Sequence, residues 1–163
     1  MNVEFLIRIS SFALVFAAMA GWELVAPRRA WAVGRAPRWT NNLGILVVDV
    51  IAVRVLIPTA AVGAALFAAE RGWGLFHLAG LPPAPAAVLG FLILDLVIYG
   101  QHVVFHKVPM LWRLHRMHHA DLDIDVTTGV RFHPFEILIS LAIKIATVIL
   151  FGIPAIAVRL FEV

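Results

Sequence analysis

The chain has no cysteine in its 163 residues. Disulfides, thiolate metal sites and cysteine nucleophiles are therefore excluded. Charge is scarce as well. Asp, Glu, Lys and Arg make up 14% of the chain, where a soluble domain carries about 25%. Hydrophobic residues fill 62% of it and the mean hydropathy is +0.94. Such a composition describes an integral membrane protein. There is no internal repeat and no low-complexity segment. No basic patch interleaved with exposed aromatics is present, so a nucleic-acid site is not expected. The formal charge of +3 has a simpler source, because the basic residues lie mostly between apolar runs. There they follow the positive-inside rule of membrane topology.

The apolar runs predict an all-α integral membrane protein with about four transmembrane helices and a cytoplasmic histidine-rich helical segment. The first run, Phe5 to Ala26, is long enough to cross a hydrocarbon core of about 30 Å. Ala18-Met19-Ala20 resembles a signal-peptidase site, but the apolar pattern continues past it, so a retained helix is expected. Pro27 to Trp39 reads as a basic, interfacial loop with four arginines and two tryptophans. Asn41-Asn42 is then expected to open a second span, Leu43 to Ala69, kinked at Pro58. Asp49 and Arg54 lie inside that span and should face protein or water, in structural positions. The Gly- and Pro-rich stretch Glu70 to Pro85 reads as a loop or re-entrant piece. His77 sits in it alone and reads as structural. A third span runs from Ala86 to His106, where Pro109 should end or bend the helix. The last apolar stretch, Pro134 to Val163, is interrupted by Gly152 and Pro154 and fits one long span or the start of a helical hairpin. Residues 1–85 thus form an N-terminal transmembrane part, and 86–163 the part that carries the chemistry. Both basic loops can lie on one side, which places the histidines at the cytoplasmic surface.

Five of the seven histidines fall between His102 and His119. His102 and His106 are one helical turn apart and share a face. Extended backward, that face passes through Tyr99 and Asp95, a single polar stripe on an otherwise apolar span. Inside a membrane such a stripe marks a functional site, and Asp95 could orient a histidine on a neighbouring helix. His115, His118 and His119 have the spacing HxxHH and can serve one metal ion or bridge two. A basic, aromatic surface helix anchored by Leu111, Trp112, Leu114 and Met117 would explain the arginines but not five histidines at ligand spacings. Neutral imidazole suits Fe, Zn, Cu and Ni. The zinc-hydrolase motif HExxH is absent. Carboxylates are scarce beside the histidines, unlike the Glu-rich di-iron sites of soluble bundles. Asp121, Asp123 and Asp125 mimic the start of a calcium loop, but Val126 stands where that loop needs Gly and Phe132 where it needs Glu. They read instead as solvated loop charges.

The segment Asp95 to Glu136, "DLVIYGQHVVFHKVPMLWRLHRMHHADLDIDVTTGVRFHPFE", resembles the signature of the fatty acid hydroxylase/sterol desaturase superfamily. The pattern is D, Y, HxxxH, P-x-LW, HxxHH, then T, R and HP-x-E. The stretch "RWTNNLGILVVDVIAVRVLIP" also resembles bacterial sterol-desaturase-like proteins. The resemblance implies a membrane-bound, non-haem di-iron oxygenase acting on lipids. It implies that His102, His106, His115, His118 and His119 are iron ligands. Asp95, Tyr99, Arg131 and Glu136 would support the site, and His133 would be a further ligand or supporting group. It also implies two irons (with zinc as a possible substitute), a lipid substrate, an external electron donor and a bacterial inner membrane.

The reaction implied is O2-dependent hydroxylation or desaturation of an unactivated C–H bond. The wording "LWRLHRMHH" and "RFHPFE" favours this side over acyl-lipid desaturases and carotenoid hydroxylases. The family's last box, a further HxxHH, has no counterpart after His133. The expectation is therefore a chain truncated before that box and inactive in isolation. The alternatives are a metal-binding membrane protein, such as a carrier, and a non-catalytic membrane remnant.

Overall fold

The computed structural model describes residues 3–28, 30–57 and 60–162. Among these it contains α-helices and short 3-10 turns and no strand. The helices are α1 (Val3–Val25), α2 (Arg35–Leu56), α3 (Ala60–Arg71), α4 (Leu75–Leu78), α5 (Pro83–Lys107), α6 (Pro109–His115), α7 (Pro134–Phe151) and α8 (Ala155–Phe161). The segments Leu6–Val25, Arg35–Leu78, Pro83–Lys107 and Pro134–Phe151 are long and apolar enough to cross a membrane. In lipid the backbone must satisfy its own hydrogen bonds, and a helix does this within one segment. The protein is an all-α integral membrane protein.

Helix–helix packing in lipid relies on close approach rather than on expulsion of water. The buried face of α3 is accordingly built from Ala61, Ala65 and Ala68, and α3 packs against α7 and α8. Leu94 of α5, Leu141 and Val148 of α7, and Ile153, Ala157 and Val158 complete this core. Gly90 admits Ile153, since a Cβ there would stand 2.6 Å from the Ile153 Cγ2. Gly152 caps α7 with φ +69°, a conformation that favours glycine. The chain reverses there, and α8 returns against α3 and α5. Large apolar side chains such as Leu14, Trp22, Val88 and Leu96 are exposed, as lipid-facing positions should be. Glu162 ties the end of α8 to α1 and α7 by pairing with Arg8 at 2.7 Å and Lys144 at 3.0 Å.

Two expectations are corrected and one open alternative is decided. The second helix begins at Arg35, not at Leu43, because Pro37 is tolerated in a first turn and Arg38 and Asn42 have buried partners. Arg35 to Trp39 are therefore helical rather than loop. Of the two forms open to the terminal stretch, the structure takes the hairpin: α7 ends at Gly152, and the seven-residue α8 follows Pro154. The third span starts at Pro83 rather than Ala86, with proline in the first turn. Pro58 lies outside the described residues. The stretch after α3 is largely loop, with the single turn of α4 inside it. There the His77 ring packs against Gly152, where an added Cβ would meet its Cδ2 at 2.7 Å.

Candidate metal centre

Helix α5 ends at Lys107, and Val108 is extended, with φ −91° and ψ 116°. A residue before proline is pushed out of the helical region, and Pro109 then occupies the first turn of α6. The break lets α6 pack on α5 and turns His115 toward His102 and His106. Nitrogens of these three rings all lie within 4.8 Å of one another. The helix stops after His115, and His118 and His119 continue in a 3-10 turn, His118–Ala120.

The spacings are those of ligands to a common centre. His102 Nε2 and His106 Nε2 stand 3.1 Å apart, and His115 Nε2 and His119 Nε2 stand 3.2 Å apart. Two nitrogens each about 2.0–2.1 Å from one ion lie roughly 3 Å apart. The His106 and His119 ring centroids are 4.9 Å apart. His118 lies at the edge, 5.1 Å from His119, and stacks on Phe132 at 4.6 Å and 5°. The Trp112 ring covers the group from 5.3 Å over His106 and 5.6 Å over His119.

His115 is fully buried. Its Nδ1 donates to Glu136 Oε1 at 2.6 Å, which leaves Nε2 bare for a ligand bond. Burial, helped by the neighbouring His102 and His106, lowers the His115 pKa to about 4. Burial also lowers His118 and His119. Metal ligation requires neutral imidazole, and these shifts favour that form. The buried Oε2 of Glu136 has no hydrogen-bond partner among the described residues. The donor set fits a metal ion held by imidazole nitrogens.

The other predicted residues are placed as follows. Asp95 and Tyr99 lie on α5 and are exposed, Tyr99 at 66%. His133 caps α7, accepting from the Phe135 backbone N–H at 3.2 Å, and lines a shallow cavity with Trp112 and His119. Arg131 Nη1 donates to Asn42 Oδ1 at 3.3 Å.

The reading of Asp121, Asp123 and Asp125 as solvated charges is overturned. Arg38 grips Asp121 through Nε at 2.7 Å and Nη2 at 3.0 Å, and Asp125 through Nη1 at 2.9 Å. It also donates to the Asp123 carbonyl. The Asp123 carboxylate accepts from the backbone N–H groups of Ala32 and Val33. A charge leaves water only when paired and hydrogen-bonded, and the pairing here is complete. The guanidinium holds the Asp121 carboxyl well below the usual carboxylate range. Arg38 was read as loop and Asn42 as the opening of a helix, so neither the helical face they share nor its partners were legible in the sequence.

Imidazoles gathered at the end of a helix long and apolar enough to cross a membrane define the class: a membrane protein with a histidine cluster that could hold a metal ion. Residues 87–163 match the model of the fatty acid hydroxylase family. The ornithine lipid hydroxylase OlsE of Rhizobium tropici is 33% identical over 73 residues, 45% of this chain and 22% of that relative. No solved structure matches the chain. The C-terminal part of the chain is thus similar to the fatty acid hydroxylase/sterol desaturase superfamily, and the chain spans less than a quarter of the length of the relative it matches.

Proposed function

We propose that the chain carries the histidine centre of an iron-dependent, O2-using lipid hydroxylase or desaturase. One observation carries this reading: five imidazoles converge at the end of α5 in a membrane protein similar to a lipid-hydroxylase family. His102, His106, His115, His118 and His119 would hold the iron, two ions in the complete centre, with zinc as a substitute. Bound iron supplies the O2 chemistry that oxidises an unactivated C–H bond. The side chains of this chain do the rest. Glu136 fixes the tautomer of His115, while Trp112 packs over His106 and His119 and Phe132 over His118, with His102 and His106 exposed at the open side of the cluster.

An apolar cavity of about 590 Å³ supports a lipid substrate. Its surface is mostly apolar, with Ile9 and Phe12 of α1, Val53 of α2 and Ile137 of α7, but the ionisable residues Arg8, Asp49, Arg54 and Glu162 also line it. Phe132, the ring that stacks on His118, forms part of its wall. Cavities of this size hold small ligands or a lipid tail. A fatty acyl, sterol or related lipid is the proposed substrate class. The relative OlsE is named for ornithine lipid, so a polar membrane lipid is the first candidate to offer. Electrons come from an external donor. The basic segments around Arg35 and Arg113 support a cytoplasmic position for the histidines, in a bacterial inner membrane.

The test is metal analysis and O2 uptake by the purified protein in nanodiscs made from bacterial lipid, with mass spectrometry of the lipids. Stoichiometric iron with O2-dependent oxidation of a lipid supports the reading. Tight metal binding without O2 use would favour a metal-binding membrane protein. Absence of any bound metal would refute the centre itself.

A further inference from the structure

The loop between His119 and Phe132 has almost no apolar packing of its own. Leu122 and Ile124 are 75% and 74% exposed. Yet the loop holds the centre from both sides. His118 and His119 precede it directly. Phe132, which stacks on His118, and Glu136, which orients His115, follow it.

What fixes the loop is polar, and it comes from the start of α2. Arg38 has a side chain 6% exposed and reaches Asp121 and Asp125, whose side chains are 2% and 0% exposed. Asn42 donates to Asp121 Oδ2 at 3.0 Å and to Thr127 Oγ1 at 2.9 Å. Trp39 Nε1 donates to Asp125 Oδ2 at 3.1 Å. Thr128 Oγ1 donates to Asp121 Oδ2 at 2.8 Å, and Asp125 caps the 3-10 turn Val126–Val130. Arg38, Trp39 and Asn42 all lie outside the residues that match the family, 87–163.

We infer that Arg38 is a positioning residue of the metal centre: its bidentate grip on Asp121, shared with Asp125, sets His118 and His119 in ligating position. The inference rests on the proposed metal centre. Arg38 touches no histidine and acts only through the loop. A guanidinium presents a rigid fork that an ammonium cannot reproduce, so charge alone is insufficient. Groups that orient metal ligands from outside typically contribute 10- to 100-fold to affinity.

The test is Co2+ titration of the purified chain in detergent, followed by the visible absorption of the bound ion and normalised to folded protein. Arg38→Lys is expected to weaken Co2+ binding by about 10- to 100-fold and to change the absorption band, with helicity by circular dichroism retained. Asn42→Ala, which removes fewer links, should weaken binding several-fold and serves if Arg38→Lys does not fold. Val148→Ala, in the core away from the histidines, should lower thermal stability and leave affinity unchanged. Wild-type affinity and spectrum in Arg38→Lys, or in Asn42→Ala where the lysine variant does not fold, overturn the positioning role and leave the metal centre standing. Absence of Co2+ binding by the wild-type chain overturns both.

Discussion

Replacing Glu136 tests the centre at its most buried contact. The carboxylate accepts from His115 Nδ1 at 2.6 Å, with the two side chains 6% and 0% exposed. A short, charge-assisted hydrogen bond in such surroundings is of the stronger kind. Glu136→Gln keeps the volume but removes the charge, and its amide can either accept from Nδ1 or donate to it. The second option moves the ring proton to Nε2 and spoils the ligand atom. The expected loss of metal affinity is about 10- to 100-fold, or roughly 1.4 to 2.7 kcal/mol. Glu136→Leu should cost more, because it leaves a buried Nδ1–H unsatisfied at about 1–3 kcal/mol. The assay is competitive Co2+ or Fe2+ titration at neutral pH, with thermal unfolding of the metal-free protein in parallel. Wild-type affinity in both variants would refute the view that Glu136 orients His115.

The same geometry yields further expectations. Metal-free protein should lose stability as pH falls from 6.5 toward 4. The unfolded chain protonates His115 near its ordinary pKa of about 6.5, whereas the folded one resists to about 4, so the unfolded state binds more protons in that window. The contribution is on the order of 3 kcal/mol, is fully present above pH 6.5, and is checked by thermal unfolding against pH in wild type and His115→Gln. Trp112 fluorescence should be quenched by added Co2+, given its ring contacts with His106 and His119; unchanged quenching in Trp112→Phe would show that other tryptophans report it. Gly152→Ala should destabilise by at least about 1–2 kcal/mol for the left-handed backbone alone. The collision of its Cβ with the Trp73 carbonyl and the His77 ring at 2.7 Å adds to this, and denaturation in detergent measures the sum.

The long apolar runs announced the membrane helices, because lipid demands length and apolarity from each span separately. The histidine group was legible for a similar reason. His102 and His106 share one helical face, and HxxHH is a local pattern. The break at Pro109 was legible too. What escaped was long-range. Three aspartates at alternate positions look solvated when their partner is 83 or more residues away, and nothing near Asp121 in the chain points to Arg38. The start of α2 was misplaced for the same cause: the arginines read as an interfacial loop, and the two asparagines as the helix start, until their buried partners are known. Trp112, expected only as a surface anchor, covers His106 and His119, a relation that requires the turn at Pro109.

The arginine clamp also has a consequence in time. Arg38 leaves the ribosome before Asp121, and at about 5–20 residues per second the interval is roughly 4 to 17 seconds. Through that interval α2, α3 and α5 are being inserted while the guanidinium waits without its acids at the membrane surface. The last histidines emerge just ahead of those acids. The loop that follows His118 and His119 can therefore be fixed only by meeting a segment made well before it, and the rest of the core, from Leu141 to Val158, is made after both.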